Sequence, residues 1–304
     1  MPNEPHVTDR DPVITGIGLI SCLGEGEAAH LAALDHFAPV VDAGSFAPYC
    51  AHPMATLALD AQIPKRGDQR QMEPWQRFGV YAAGLALDDA KAKGDAALLE
   101  RMDMIVAAGG GERDYAVDAA ILAALPNADD PDRYLNEHLL ADIRPTLFLA
   151  QLSNLLAGNI SIVHGVIGSS RTFMGEEAAG ADALHIACAR IGSGQSEICL
   201  VGGSFNGQRP DAFLHDAMGH ALWRGPFAPV WSRAPRGGLV LGSVGCFLVI
   251  ESRRHARGRV QLALVTLAVV EGERVARIAF AIRQRQAGGG IEAAAQQADR
   301  FLGD

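Results

Sequence analysis

Several common features are missing from this 304-residue chain, and each absence excludes a class of protein. No apolar run approaches the roughly 20 residues that a membrane-spanning helix needs. Residues 1–12 lack the charged and then apolar pattern of a secretory signal peptide. Basic residues are in deficit, 26 Lys and Arg against 35 Asp and Glu, and the net charge of −9 argues against a nucleic-acid-binding surface. These absences predict a cytoplasmic protein with no membrane span and no nucleic-acid partner.

Metal and cofactor signals are equally scarce. The five cysteines form no CxxC pair and are odd in number, which predicts free, mostly buried thiols in a reducing compartment. His215 and His220 lie five residues apart, which is not the i, i+4 spacing that puts two ligands on one helical face. The glycine-punctuated run at residues 13–20 lacks the GxGxxG pattern and later acidic residue of a dinucleotide site. We therefore expect neither a metal nor a cofactor.

The residues that are present predict an α/β protein. Hydrophobic residues make up 49% of the chain, enough for a sizeable core. Residues 75–93 and 178–191 carry apolar side chains at helical spacing, whereas 13–20, 104–108 and 197–201 are short apolar or β-branched runs typical of strands. Further expectations are a helix at 146–157, a glycine-spaced strand at 158–168, an acidic loop at 127–134, strands at 260–270 and 275–282, and a small helix at 291–302.

The stretch from residue 158 to residue 203 reads as strand, tight turn, helix and strand. The turn before the helix is where an α/β fold commonly places a reacting group, because the N–H groups of the helix N-terminus point at whatever lies in front of them. In this chain that turn carries two consecutive acidic residues, Glu176 and Glu177. We therefore treat this turn as the candidate site.

The same stretch resembles the nucleophile region of the β-ketoacyl-acyl carrier protein synthases, which belong to the thiolase superfamily. In that family the turn holds a catalytic cysteine three residues before a glycine. An alignment on Gly165, Gly168 and Gly180 places this cysteine at Glu177. The residues of the turn that the resemblance implicates around Glu177 are Phe173, Met174, Gly175, Glu176 and Gly180.

Other segments carry the resemblance through residues 12–260. They are the TGxG element at 15–18, the glycine cluster at 109–111 and the Gly-x-Ile-Ser-Ile run at 158–162. Two positions depart from the family, with Gly237 in place of an aspartate and Ser243 in place of an acidic residue. The resemblance implies a thiolase-like α/β fold, with a nearly complete N-terminal half at residues 1–238 and an abbreviated C-terminal half at 239–304.

The catalytic set of the family is missing from the sequence. His255 is the last histidine and Lys93 the last lysine, and no His-Gly-Thr element follows. Condensation needs a thiolate that accepts the acyl group from a thioester. It also needs histidines that stabilise the developing negative charge. The resemblance therefore implies that the chain alone does not condense.

Three hypotheses follow for the function. In the first, the chain is a non-condensing partner of an active synthase, similar to a chain-length factor, in fatty-acid or polyketide biosynthesis. In the second, it is an enzyme, either a malonyl-carrier protein decarboxylase or another acyltransferase, that uses Glu177 with His164 as a candidate base. In the third, it is a regulatory module that binds a carrier protein. A helix-capping role for Glu177 and a packed core role for His164 are the structural alternatives.

The resemblance also implies partners. Acyl carrier proteins are acidic, and synthases dock them on basic residues near the segment that here contains Lys65, Arg66 and Arg70. The alternative for these three residues is a solvated loop. The family dimerises through the strand beside the nucleophile turn, here near residues 169–174. A sheet face left open by the short C-terminal half also predicts an oligomer, a homodimer or a heterodimer with an active synthase.

Overall fold

The computed structural model describes residues 8–35, 38–145, 147, 151–175, 178–233 and 235–260, and the backbone of residues 262–271 and 274–283. The strands are β1 (Pro12–Ser21), β2 (Gly24–Glu25), β3 (Ala51–His52), β4 (Asp103–Ala107), β5 (Ser170–Phe173), β6 (Ile198–Phe205), β7 (Leu241–Gly242), β8 (Val244–Ser252), β9 (Leu262–Glu271) and β10 (Arg274–Arg283). The helices are α1 (Gly26–Asp35), α2 (Arg66–Gln71), α3 (Pro74–Asp89), α4 (Ala96–Arg101), α5 (Tyr115–Ala124), α6 (Pro131–Ala141), α7 (Leu155–His164), α8 (Ala179–Ser193), α9 (Pro210–Met218) and α10 (Arg253–Arg257).

One mixed sheet organises the described chain. Its strand order is β5-β4-β6-β8-β1-β10-β9, with β2 paired to β1. Strand β4 runs parallel to both β5 and β6, and β8 lies antiparallel to β6 and to β1. Strands β1, β4, β5 and β6 therefore point the same way. The carboxyl ends of β4, β5 and β6 meet at one edge of the sheet, which we call the carboxyl edge.

Helices cover both faces of this sheet. Helices α3 and α7 contribute Val80, Leu87, Leu156 and Ile160 to the larger apolar core on one face. On the other face α8 packs its small and apolar residues against Ile105, Cys199 and Val201. The result is a three-layer α/β/α arrangement, as the alternation of helices and strands predicts. Within the described ranges, no helix is long and apolar enough to cross a bilayer.

The sequence-based strand at 158–168 is wrong. Residues 155–164 form α7, which Gly165 ends with a positive φ of 77°, and the strand begins only at Ser170. Leu156, Ile160 and His164 stand at i, i+4 and i+8 and are all buried, so the apolar residues follow a helical period. The predicted helix at 146–157 overlaps α7 only at its last three residues, and residues 146 and 148–150 lie outside the described residues.

The predicted acidic loop at 127–134 is only partly correct. Helix α6 begins inside it at Pro131, which suits the first helical position because its missing N–H would have no partner there. Asp130 caps the helix by accepting a hydrogen bond from the backbone N–H of Arg133. The strands predicted at 260–270 and 275–282 correspond to β9 and β10, which pair antiparallel. The predicted helix at 291–302 lies outside the described residues.

Strand β8 lies on the C-terminal side of the boundary that we expected at residues 238 and 239. It pairs with β6 on one side and with β1 on the other, so residues from both sides of that boundary share a single sheet. Strand β10 extends the same sheet by pairing with β1 at Val13 and Ile14. The division of the chain into 1–238 and 239–304 stays a prediction.

A buried carboxylate joins β8 to β1. Glu251 is 0% exposed, and it accepts hydrogen bonds from Thr15 at 2.5 Å, from His255 at 2.5 Å and from Arg259 at 3.0 Å. Burial acts to raise the pKa of Glu251, but the hydrogen bonds from His255 and Thr15 and the charge of Arg259 outweigh it and lower the pKa. The carboxylate is therefore held in its charged form.

We expect Glu251→Gln to remove an acid-sensitive part of the stability. A carboxylate whose folded pKa is lowered stabilises the fold above its unfolded pKa, about 4.3, and loses that contribution as the pH falls through the folded value. The variant should be about 3 kcal/mol less stable near pH 7, because it leaves Arg259 with a weaker partner. Urea unfolding between about pH 7 and pH 3 should show a flatter acid limb for the variant.

The control for this measurement is Glu137→Gln. Glu137 pairs with Arg133 on α6, and both side chains are exposed by more than half. This variant should leave the pH profile close to that of the parent protein, because exposed pairs contribute little. An unchanged acid limb in Glu251→Gln would contradict the role assigned to Glu251.

Candidate functional site

The carboxyl edge brings the end of β5 next to the end of β4. The backbone N–H of Ala108 donates to the carbonyl oxygen of Phe173 at 3.0 Å, which holds the two strand ends level. Met174 follows and is 69% exposed, and α8 begins at Ala179. No side chain of the described residues caps α8 at its N-cap residue, Ala178. The first-turn N–H groups of this helix therefore face the edge with their partial positive charge.

The predicted turn residues lie around this edge. Phe173 is half-buried, and Met174, Gly175 and Gly180 are exposed. A Cβ atom on Gly180 would meet nothing within 4 Å, so the start of α8 is open on that side. Glu176 and Glu177 lie outside the described residues. The assignment of these residues to a catalytic or substrate-binding role stays a prediction.

An arginine holds the glycine cluster that follows β4. The guanidinium of Arg209 donates to the carbonyl oxygens of Gly110 at 3.2 Å and of Gly111 at 3.1 Å. Asp211 accepts two bonds from the same guanidinium, at 3.0 and 2.6 Å, and one from the Tyr115 hydroxyl at 2.7 Å. Burial acts to raise the pKa of Asp211, but Arg209 and Tyr115 outweigh it and lower the pKa. The loop is thus tied to the start of α9 by hydrogen bonds from Arg209, and the ion pair with Asp211 orients that arginine.

A second polar cluster lies behind the same loop. Glu112 is 4% exposed and accepts hydrogen bonds from the backbone N–H of Trp75 at 3.2 Å and from the side-chain amide of Asn206 at 3.1 and 3.2 Å. Burial raises the pKa of Glu112, although the hydrogen bonds from Asn206 and Trp75 act to lower it. The cluster joins the end of β6, the loop after β4 and the first turn of α3.

Ser243 belongs to this cluster, which explains one departure from the family pattern. Its hydroxyl donates to Asn206 Oδ1 at 3.2 Å and accepts from the backbone N–H of Gly207 at 3.0 Å, and it is 2% exposed. Gly237, the other departure, is exposed with a φ of 68° and has space around it. Ser243 is therefore a structural residue in this chain, whereas Gly237 lies on a surface turn.

Sequence reasoning missed Glu112, Asn206 and Arg209. An acidic residue directly after three glycines was the one available signal for Glu112. Asn206 lies 94 residues further along the chain, so no local pattern connects the two. Only the adjacency of β4 and β6 brings them together.

His164 is not part of the carboxyl edge. It ends α7, ahead of β5, whereas the candidate turn follows β5, so the two lie at opposite ends of this strand. The ring is 7% exposed, and its Nε2 bonds to the carbonyl oxygen of Val80 at 2.8 Å. Burial lowers the pKa of His164 to about 4. Residue 177 lies outside the described residues, so the role of His164 as a candidate base stays a prediction, whereas the burial and the Val80 contact of the ring agree with a packed core role.

The predicted docking residues form an exposed basic cluster. Lys65 precedes α2 as its N-cap residue, and Arg66 and Arg70 stand at i and i+4 on that helix. All three side chains are exposed, and none of them forms an ion pair within the described part of the chain. Gln69 fixes the helix by donating to Asp60 at 2.7 Å and to the carbonyl oxygen of Ile63 at 2.6 Å.

Comparison with known families identifies the class. Residues 49–256 match the family described as "Beta-ketoacyl synthase, N-terminal domain", and this match covers more than half of the chain. The chain therefore belongs to the β-ketoacyl synthase family. The match includes the carboxyl edge, the glycine cluster and the start of α8.

Two curated relatives are 3-oxoacyl-[acyl-carrier-protein] synthase 2 of Vibrio harveyi and of Vibrio cholerae serotype O1. They are 23% identical over 268 residues and 22% identical over 267 residues. Each alignment covers 83% of this chain and 60% of the relative. The chain thus spans about three fifths of the length of the curated relatives that it matches.

Solved structures share the fold. A β-ketoacyl synthase from Burkholderia phymatum superposes with a TM-score of 0.61 at 20% identity, over 84% of this chain and 64% of that one. The ishigamide ketosynthase/chain length factor superposes with a TM-score of 0.64 at 22% identity, over the same shares of the two chains. The thiolase-like α/β fold implied by the sequence resemblance is confirmed.

We expect Glu112→Gln to destabilise the protein by about 2 kcal/mol, because the new amide donor would face the amide donor of Asn206. Asn206→Asp alone should also destabilise, since it opposes two carboxyl groups. The double variant, Glu112→Gln with Asn206→Asp, again places an amide donor, now on residue 112, opposite a carboxylate, now on residue 206. It also keeps the net charge of the parent protein. Chemical denaturation of all four proteins should therefore give a favourable coupling of at least about 1 kcal/mol. Additive single effects would contradict the contact.

Proposed function

We propose that this chain is a non-condensing β-ketoacyl synthase-like subunit of fatty-acid or polyketide biosynthesis, which binds acyl carrier protein and pairs with an active synthase. One observation carries the proposal. The chain matches the family over residues 49–256, and at the position that we align with the catalytic cysteine from the sequence pattern it carries Glu177. The surfaces for association are thus present without the acyl-accepting thiol.

The other thiols offer no substitute for this cysteine. All five cysteines are free, and none is exposed. Burial raises the pKa of Cys22, Cys188 and Cys246, and it raises that of Cys199 to about 12. A thiol with a raised pKa is little ionised at neutral pH and is a poor nucleophile. A carboxylate at residue 177 accepts an acyl group only as a reactive mixed anhydride.

Related structures support the partner role. One structural neighbour is named as a ketosynthase/chain length factor. Another is named as a type II polyketide acyl-carrier protein in complex with its ketosynthase bound to a hexaketide, with a TM-score of 0.60 at 19% identity, over 84% of this chain and 70% of that one. We carry the pairing and the carrier contact to this chain as parts of the proposal. The groups that complete the reaction then come from the partner synthase.

The first test measures chemistry directly. The purified chain is incubated with acyl- and malonyl-carrier protein, and intact mass and carbon dioxide release are followed together. We expect neither an acyl adduct nor carbon dioxide from the chain alone. Carbon dioxide release that is lost in Glu177→Ala would replace the proposal with the decarboxylase hypothesis. A stable acyl adduct would show that the chain carries a nucleophile and is not a passive subunit.

The basic cluster formed by Lys65, Arg66 and Arg70 is the proposed docking surface for the acidic carrier protein. Reversing all three charges to Glu should weaken carrier binding by about tenfold or more and reduce its salt dependence, because opposite charges steer and hold the complex. Isothermal titration at two salt concentrations measures both effects. The control reverses three other exposed cations, Arg101, Arg236 and Arg257. Equal weakening in the control would contradict a specific docking surface.

The proposed pairing surface is the side of β5 that faces away from β4, where β5 is the last strand of the sheet. The carbonyl oxygens of Ser169 and Phe173 accept bonds from β4 at 2.8 and 3.0 Å, so these residues direct their backbone groups toward β4. Because neighbouring residues of a strand alternate, the backbone N–H of Thr172 points toward the open edge. Met174, directly after β5, is 69% exposed. An open, partly apolar edge favours pairing with another chain.

Thr172→Pro tests this surface without breaking a bond to β4. Proline removes the outward N–H, and an edge strand tolerates it. We expect sedimentation equilibrium to show at least about a tenfold weaker association with a second copy or with a synthase. Thr172→Val keeps both the N–H and the β-branched side chain, so it should associate like the parent. A parent chain that is monomeric at micromolar concentration, and binds no synthase, would contradict the pairing.

A further inference from the structure

A cavity lies on the α7 side of the sheet, remote from the carboxyl edge. Its volume is about 570 Å³, within the range of small-molecule sites. Helix α7 and the segment after it supply one wall, which includes Val163, His164 and Ile167. The opposite wall includes Lys93 and Leu99. Ile167 donates its backbone N–H to the carbonyl oxygen of Leu99 at 3.2 Å, which joins the two walls.

His164 offers an acceptor to this cavity. Its Nε2 bonds to the carbonyl oxygen of Val80, and because a carbonyl only accepts, Nε2 carries the hydrogen. Burial, with a smaller effect from the charge of Lys93, lowers the pKa of His164 to about 4, so the ring is neutral near pH 7. Nδ1 therefore has a free lone pair, and no described residue donates to it. The histidine is 7% exposed and lines the cavity, which gives access to that atom.

Lys93 offers a donor beside it. Two of its three N–H groups are used, by Gln62 Oε1 at 2.6 Å and by Asp88 Oδ2 at 2.9 Å. Gln62 also donates to Asp88 at 2.8 Å, so the ammonium is fixed by a closed triangle of polar groups. The third N–H has no partner among the described residues. Apolar wall residues such as Leu99, Val163 and Ile167 surround the remaining space.

The geometry points to a binding site for a small molecule that carries one hydroxyl group on an apolar body, such as a phenol or an aliphatic alcohol. The hydroxyl hydrogen is donated to His164 Nδ1, and the hydroxyl oxygen accepts from Lys93 Nζ. The apolar body lies against Leu99, Val163 and Ile167. A hydroxyl matches this pair because it is a donor and an acceptor at once. The site is independent of the carboxyl edge and of the proposed synthase partnership.

The test uses p-cresol and toluene as probes, which differ only in the hydroxyl group. Imidazole nitrogen NMR on the whole chain reports the tautomer of His164 and any new bond at Nδ1. We expect p-cresol to shift the His164 Nδ1 resonance saturably, and toluene to bind at least about tenfold more weakly. Equal binding of the two would overturn the proposal in favour of an apolar cavity. No shift up to the solubility limit of p-cresol would also overturn it.

Two exposed isoleucines provide a matched pair of variants. Ile167 is 62% exposed and lines the cavity, whereas Ile162 is 72% exposed and is not a lining residue. Ile167→Trp should fill the opening and weaken p-cresol binding by about tenfold or more, and Ile162→Trp should leave it unchanged. Lys93→Met should weaken p-cresol toward the level of toluene. Equal effects of both tryptophan variants, or no effect of either, would contradict the site.

Discussion

Helix α3 lies so close to β1 that the backbones of the two elements are in direct contact. A Cβ atom on Gly18 would lie 1.9 Å from the carbonyl oxygen of Ala82, and one on Gly16 would lie 2.3 Å from that of Ala86. Only glycine permits this approach. Residues at both ends of α3 contact other parts of the molecule. Its first turn binds Glu112 and Ser204 through Trp75, and the segment just beyond it supplies Lys93 to the cavity.

Two buried glutamates show how neighbours decide the state of a carboxyl group. Glu251 faces Arg259 and His255, which outweigh burial and lower its pKa. Glu112 faces mainly neutral donors from Trp75 and Asn206, so burial prevails and its pKa is raised. The charge of Arg259 and the hydrogen bonds therefore make Glu251 a link between β8 and β1 that depends on pH. The neutral partners of Glu112 instead fix the geometry behind the glycine loop.

The architecture separates the fold of the family from its chemistry. The three layers depend on apolar packing and on close glycine contacts that lie among the described residues, outside the predicted nucleophile position. We therefore expect that the side chain at residue 177 can change without loss of the sheet. Exposed edges and cations, such as β5 and Arg66, stay available for association. This separation is the physical basis for proposing a subunit that binds and pairs but does not condense.

The sequence by itself determined the α/β class, helices α3 and α8 and strands β4 and β6, and it carries the resemblance from which we predict that Glu177 stands at the nucleophile position. These depend on local period and spacing, which one sequence displays. Tertiary structure decided the rest. The β-branched residues of α7 were assigned to a strand because their side chains favour one, while packing of Ile160 and His164 against α3 selects a helix. The contacts of Glu112 with Asn206 and of Glu251 with Thr15 join residues 94 and 236 positions apart, and only the order of strands in the sheet brings such residues together.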